Sequence, residues 1–139
     1  MSKHFLVAAL FLSLSACQPD TEDLQLKVDP LLSDIQFRVF DASCALSGCH
    51  NSVSRKGGLV LDDGQSLAEI LNIPAANSKA AANDKILVIP GDSANSFFFQ
   101  KLFQPESGEG GEMPLGSRVV SDAAIEAIRL WIDAGALDN

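Results

Sequence analysis

The stretch from Cys44 to His50 constrains this chain more than any other feature of its sequence. It reads Cys-Ala-Leu-Ser-Gly-Cys-His, so two thiols are followed directly by an imidazole. That order is typical of c-type haem attachment, in which the cysteines form thioethers with the porphyrin and the histidine ligates the iron. Two residues usually separate the cysteines, whereas here there are four. The extra residues must bulge away from the porphyrin, and Gly48 gives the backbone freedom for that.

The first 16 residues have the layout of a bacterial signal peptide. Lys3 and His4 precede an apolar run over 5–14, which is too short to span a bilayer as a mature helix. Leu14-Ser15-Ala16-Cys17 then resembles a lipobox, whose cysteine is acylated before cleavage. An ordinary secretory signal that happens to contain a cysteine is the alternative. Both interpretations predict export.

Three regions are expected: a cleaved signal peptide at 1–16, the lipidated Cys17 with a flexible tether at 17–29, and a folded domain at 30–139. Several acyl chains on one cysteine would anchor the protein stably to a membrane. Some lipoproteins carry aspartate after the lipidated cysteine, whereas this chain carries Gln18. By resemblance to Gram-negative lipoproteins, this implies anchoring in the outer membrane with the domain facing the periplasm. Lipidation leaves Cys44 and Cys49 as the only thiols of the mature chain.

Charge excludes one class of partner. Cleavage removes Lys3 from the 10 basic side chains and none of the 18 acidic ones, which leaves a net charge of −9. Such an acidic chain argues against nucleic acid, which requires basic patches. For an electron carrier, the charge favours redox partner proteins with a basic docking face. The alternative is that the charge only keeps the protein soluble.

Periodic hydrophobic residues predict an all-α domain of about four helices and long loops. Asp29 and Pro30 are typical of a helix start, and this first helix would deliver Cys44 at its C-terminal end. Ser121 and Gly135 suit the start and end of a last helix with one apolar face. The predicted helices cover about 30–42, 66–72, 94–103 and the stretch between Ser121 and Gly135.

The connections between these helices have distinct compositions. Residues 74–84 are rich in alanine and asparagine, which predicts a surface excursion. Residues 86–89 are fully apolar and end at a proline, which predicts a buried strand or an extended segment, without a real sheet. Residues 104–111 form a glycine-rich acidic loop that leads to Met113.

The mature chain contains one histidine, His50, and one methionine, Met113. Met113 precedes Pro114, which favours an extended backbone and places the methionine in a polar loop with little core to fill. We therefore expect Met113 as the distal ligand of the iron and His50 as the proximal one. Methionine–histidine ligation raises the reduction potential and fills the coordination position that oxygen would need. It indicates electron transfer rather than catalysis, and no second histidine is present as an acid–base group.

Further motifs follow in a fixed order: Gly57-Gly58-Leu59-x-Leu61-Asp62, Pro90-Gly91-Asp92-x-x-x-Ser96, Met113-Pro114 and Trp131-Ile132-x-x-Gly135-Ala136. Together with the Cys44–His50 segment, this order resembles the small class I cytochrome c domains of exported bacterial proteins, over residues 31–137. The resemblance implies an all-α fold around one covalent haem c, with the first and last helices crossing near the haem edge. It also implies one-electron transfer with no substrate turned over by this domain alone.

Three alternatives stay open. Cys44 and Cys49 would form a disulfide in an oxidising periplasm, which would make the domain a lipid-anchored, non-haem binding or structural module. The same thiols with His50 and a carboxylate would make a zinc site, although no other histidine or cysteine of the mature chain supplies a fourth ligand. The third alternative keeps the haem in a sensor or in a subunit of a larger oxidoreductase.

Overall fold

The computed structural model describes residues 27–116 and 118–139. The regular structure in these residues is helical. Their extended segments are joined by isolated β-bridges, which pair Leu71 with Val88 and Ile86 with both Pro74 and Ser96. The all-α prediction is therefore confirmed for the described residues. The helices are α1 (Leu32–Ile35), continued by a π-helical segment (Gln36–Cys44), then α2 (Ser66–Ile70), α3 (Ser78–Ala81), α4 (Phe97–Gln100) and α5 (Asp122–Asp133). The predicted signal peptide, the lipidation at Cys17 and residues 18–26 lie outside the described residues.

The first helix delivers Cys44 to the loop that follows it. The π-helical segment ends at Cys44, and the Ala45 amide donates to the Phe40 carbonyl at 2.7 Å, which closes its last turn. Val39 and Phe40 are buried, whereas Phe37 is 71% exposed. Helical rather than strand periodicity therefore decides which side chains enter the core.

The N-terminal turn of α1 is capped by Asn139. The amides of Leu32 and Ser33 donate to its side-chain and backbone oxygens, each at 2.9 Å. The sequence predicts Asp29 as the cap, which is wrong, because the helix begins at Leu32 with Leu31 as its N-cap residue. Asp29 instead donates its N–H to Asp34 at 2.7 Å. A distant acceptor satisfies the amides that a local aspartate would otherwise have satisfied.

The last helix, α5, forms as predicted. The Ser121 hydroxyl accepts from the Ala124 amide at 3.2 Å, and Gly135 has a φ of +108°, the left-handed conformation that ends helices. The buried face includes Ile128 and Trp131, and the Trp131 indole donates to the Leu137 carbonyl at 2.8 Å. This face packs against α1.

One main core joins α1, the π-helical segment, α4 and α5, and it includes Val28. Phe40 and Phe98 meet edge to face in it, with ring centroids 5.6 Å apart. A smaller cluster holds Ala75, Ala80 and Phe97. Residues 74–84 are thus only partly the predicted surface excursion, because two of their alanines are buried. Among the described helices, none combines the length and the hydropathy needed to cross a bilayer.

Candidate functional site

The Cys44–His50 segment closes on itself as a compact loop. The His50 amide donates to the Cys44 carbonyl at 3.1 Å, and the Cys49 amide donates to the Leu46 carbonyl at 2.9 Å. Gly48 has a φ of +82°, which L side chains rarely adopt. The additional residues between the cysteines therefore form a turn, and the backbone brings the two ends of the motif together.

A buried glutamine supports this loop from the π-helical segment. The Leu61 amide donates to the His50 carbonyl at 2.7 Å, and the Leu61 carbonyl accepts from Gln36 Nε2 at 2.9 Å. The Ser66 hydroxyl donates to Gln36 Oε1 at 2.6 Å, and Gln36 is only 5% exposed. Sequence reasoning missed Gln36, although a polar residue between the apolar positions of a core-facing helix is a signal for such a role.

Burial shifts the pKa values of Cys44 and His50 in this loop. Cys44 and Cys49 are half-buried free thiols, and burial, with the nearby Cys49, raises the pKa of Cys44 to about 12. Burial lowers the pKa of His50, and the backbone groups of Lys56 and Leu59 offset this only in part. At neutral pH Cys44 is therefore a protonated thiol and the His50 imidazole is neutral, the form of histidine that ligates metals.

The start of the loop packs against the main core, and one ring nitrogen in the loop lacks a hydrogen-bond partner among the described residues. Cys44, Ala45 and Leu59 are partly buried and pack against the main core. His50 Nδ1 is buried and has no hydrogen-bond partner among the described residues. A buried imidazole nitrogen without a partner is uncommon in folded proteins and points to a missing interaction at this site.

The backbone of Met113 is anchored at the end of α4. Its amide donates to the Lys101 carbonyl at 2.7 Å, and its side chain is half-buried. The peptide bond to Pro114 is cis. The structure thus unites Cys44, Cys49 and His50 in one loop and places Met113 on a second segment.

The segment before Met113 contains a buried ion pair that the sequence did not reveal. Glu109 Oε1 lies 2.6 Å from Lys85 Nζ, and the exposed fractions of the two side chains are 0% and 13%. Lys85 Nζ also lies 2.9 Å from the exposed carboxylate of Glu106 and 3.0 Å from Gln100 Oε1. One carboxylate of this glycine-rich acidic loop is therefore buried.

The charges of this pair stabilise each other. Burial acts to raise the pKa of Glu109, but the Lys85 ammonium and the Glu106 amide outweigh it and leave the pKa below its ordinary value. Burial acts to lower the pKa of Lys85, but the two glutamates leave it raised. Both groups are therefore charged across the neutral range.

A groove between α4 and α5 is lined by Phe99, Gln100, Phe103, Glu106 and Arg129, among others, and by none of the predicted haem-binding residues. Its charged side chains are already paired. Arg129 contacts Glu126 and Asp133 at 2.7 Å each, and Glu106 contacts Lys85. The residues lining the groove therefore include no unpaired acid–base couple.

Comparison with protein families, with characterised proteins and with solved structures gives no match for this chain. Within 27–116 and 118–139, no three histidine, cysteine, aspartate or glutamate side chains are arranged to hold a metal ion by themselves. The function therefore has to be argued from the site alone.

Proposed function

We propose that this chain is a monohaem c-type cytochrome lipoprotein that carries single electrons in the bacterial envelope. One observation carries the proposal: the loop that joins Cys44, Cys49 and His50 through the 3.1 Å backbone bond between its ends. It presents two free thiols and a neutral imidazole at the apolar edge of the core. A class I cytochrome c-like fold belongs to the proposal and accords with the all-helical architecture.

The residues present fit a covalently bound haem. The free thiols of Cys44 and Cys49 are the groups that form thioethers, and His50 follows them directly. The turn around Gly48 takes up the extra length between the cysteines. When bound, haem supplies one-electron redox chemistry, and histidine–methionine ligation favours a high potential.

The chain's own residues have separate tasks in this proposal. Cys44 and Cys49 hold the group covalently, and His50 supplies the proximal ligand from a backbone fixed through Leu61. Met113 supplies the distal ligand from its loop and thereby excludes small ligands. No side chain needs to move a proton, which accords with a carrier rather than an enzyme.

The location and the partners are proposed from the sequence. Cys17 carries the lipid that anchors the domain to the outer membrane, facing the periplasm. The net charge of −9 favours a redox partner with a basic docking face, because opposite charges speed association. Nucleic acid is not a partner in this proposal.

The test is expression of the full chain in a host that attaches c-type haem, followed by denaturing mass spectrometry. The expected mass is that of lipidated polypeptide plus one haem. Cys44→Ser and Cys49→Ser should each lose a thioether and reduce haem retention, whereas Ser47→Ala, in the exposed part of the same loop, should not. A mass without haem would overturn the proposal, and a mass two hydrogens below the free-thiol form would support the disulfide alternative.

A ferric spectrum separates the carrier from the sensor. Six-coordinate, low-spin iron is expected if Met113 is bound. High-spin, five-coordinate iron in the wild type would contradict the carrier and favour a haem sensor or an oxidoreductase subunit.

A further inference from the structure

The loop at 104–113 is held by lysines that lie outside it. Lys101 Nζ contacts the carbonyl oxygens of Glu109, at 3.0 Å, and of Gly111. The stem of Lys79 passes close to Gly108, where an added Cβ would lie 3.4 Å from Lys79 Cγ. Lysine side chains thus contact this glycine-rich, acidic segment at Gly108, Glu109 and Gly111, although most of its residues are exposed.

Glu109 is the buried side chain of this loop, and each of its carboxylate oxygens has a defined partner. Its Oε1 pairs with Lys85 at 2.6 Å, and its Oε2 accepts from the Glu106 amide at 2.9 Å. Lys85 in turn reaches Gln100 on α4. Glu109 Oε1 makes no hydrogen bond among the described residues, so the ion pair with Lys85 and the Glu106 amide at Oε2 compensate the burial of this carboxylate. A buried carboxylate needs such compensation, which favours the loop conformation that keeps both partners.

Lys101 contacts both the loop and Met113. The Lys101 side chain contacts the carbonyls of Glu109 and Gly111, while its backbone carbonyl accepts from the Met113 amide at 2.7 Å. Displacement of Glu109 would therefore loosen both attachments of the chain next to Met113.

We propose that Glu109, paired with Lys85, is the positioning residue of the distal ligand: it fixes the loop at 104–113 so that Met113 is presented to the iron. The inference rests on the proposed function, since it names the device that supports one of its ligands. Glu109 does not touch the iron or its ligands and acts through the loop.

Glu106 provides a matched control. It contacts the same Lys85 nitrogen at 2.9 Å, but its side chain is 62% exposed. Glu109→Gln and Glu106→Gln remove the same charge from partners of the same lysine. An exposed ion pair contributes little to stability, whereas the loss of one partner from a buried pair leaves an uncompensated charge. The two variants should therefore differ, although the charge removed is the same.

The experiment uses the full chain, produced with haem attachment, and three readouts. Glu109→Gln should weaken or abolish the sulfur-to-iron charge-transfer band and speed imidazole binding to the ferric protein by about tenfold, because the loop opens more often. The Met113 amide should exchange with deuterium about tenfold faster, with no change in the amides of α5. Glu106→Gln should match the wild type in all three.

Two results would overturn the inference. One is an intact charge-transfer band, with wild-type imidazole binding and Met113 exchange, in Glu109→Gln. The other is faster exchange throughout the protein, which would mean that Glu109 supports the whole fold and not this loop. Lys85→Gln gives a second test if Glu109→Gln does not accumulate, because it removes the ammonium that pairs with Glu109. It should produce the same three changes, and wild-type values of all three would overturn the inference.

The readouts also separate this inference from the proposed function. A wild-type mass without haem would overturn the cytochrome assignment. Exchange at the Met113 amide would still decide whether Glu109 holds the loop, because that measurement does not depend on haem.

Discussion

Gln36 and His50 are connected through a single residue, Leu61. The Gln36 side chain donates to the Leu61 carbonyl at 2.9 Å, and the Leu61 amide donates to the His50 carbonyl at 2.7 Å. A buried amide on the first helical segment thus sets the backbone position of the predicted proximal ligand. The contact also joins two stretches that are 25 residues apart in the chain.

Replacement of Gln36 by leucine keeps much of the volume and removes every hydrogen bond of the side chain. The Leu61 carbonyl and the Ser66 hydroxyl would lose their partner in a buried place, so we expect a loss of about 1–3 kcal/mol of stability. Urea unfolding measures it. Gln65→Leu, at an exposed position, should change stability by less than about 0.5 kcal/mol. Equal effects of the two variants would show that the Gln36 network does not stabilise the fold.

Met113→Ala should abolish the sulfur-to-iron charge-transfer band and lower the reduction potential, because the distal thioether is lost while both cysteines remain. Optical spectra and a redox titration of the haem-loaded protein measure these changes. Leu115→Ala is the control, since Leu115 is 60% exposed and two residues further along the chain. A wild-type spectrum in Met113→Ala would assign the distal position to another group.

The stability contributed by the buried pair of Glu109 and Lys85 should decrease in acid. The pKa of Glu109 is lowered in the folded state, so its contribution is complete above the unfolded value of 4.5 and is lost as the pH falls through the folded value. Urea midpoints between about pH 7 and about pH 3 should therefore converge for the wild type and Glu109→Gln as the pH decreases. The raised pKa of Lys85 contributes stability that is fully present below the unfolded value of 10.5 and is lost only as the pH rises through the folded value, so this contribution stays constant in the acid window. A difference between the two proteins that is constant with pH would contradict the expected ionisation.

Gly48→Ala tests the turn between the two cysteines. An added Cβ would meet no atom within 4 Å, so the φ of +82° is the only obstacle to the substitution. Left-handed backbone costs a non-glycine residue about 1–2 kcal/mol, and we expect a destabilisation of that size. Thermal or urea unfolding measures it, with Ser47→Ala as the neighbouring control. Wild-type stability in Gly48→Ala would mean that this turn relaxes to another conformation.

Local signals in the sequence were sufficient for some elements and insufficient for others. Helix α5 is predictable because Ser121, the apolar face and Gly135 all lie within one short stretch. The helix at α1 was predicted but its cap was not, because its first amides are satisfied by Asn139 and not by Asp29. No local pattern encodes that choice.

The same distinction applies to the candidate site. Cys44, Cys49 and His50 were identified from their order along the chain, and the structure brings them into one loop. The residues that support the site pair with residues far away in the sequence: Gln36 contacts Leu61, and Lys85 contacts Glu109. Composition alone suggests that such polar residues are solvated, and only the tertiary packing shows that they are enclosed.

The cap that Asn139 provides to α1 has a consequence for the order of folding. The first helical turn receives an acceptor from a residue 107 positions later in the chain. Closing so long a loop costs entropy before it returns any contact energy, and contacts of high sequence separation slow folding. The first turn of α1 therefore cannot receive this cap until Asn139 has been added to the growing chain. Maturation of this domain should be a late, concerted event rather than a progressive one.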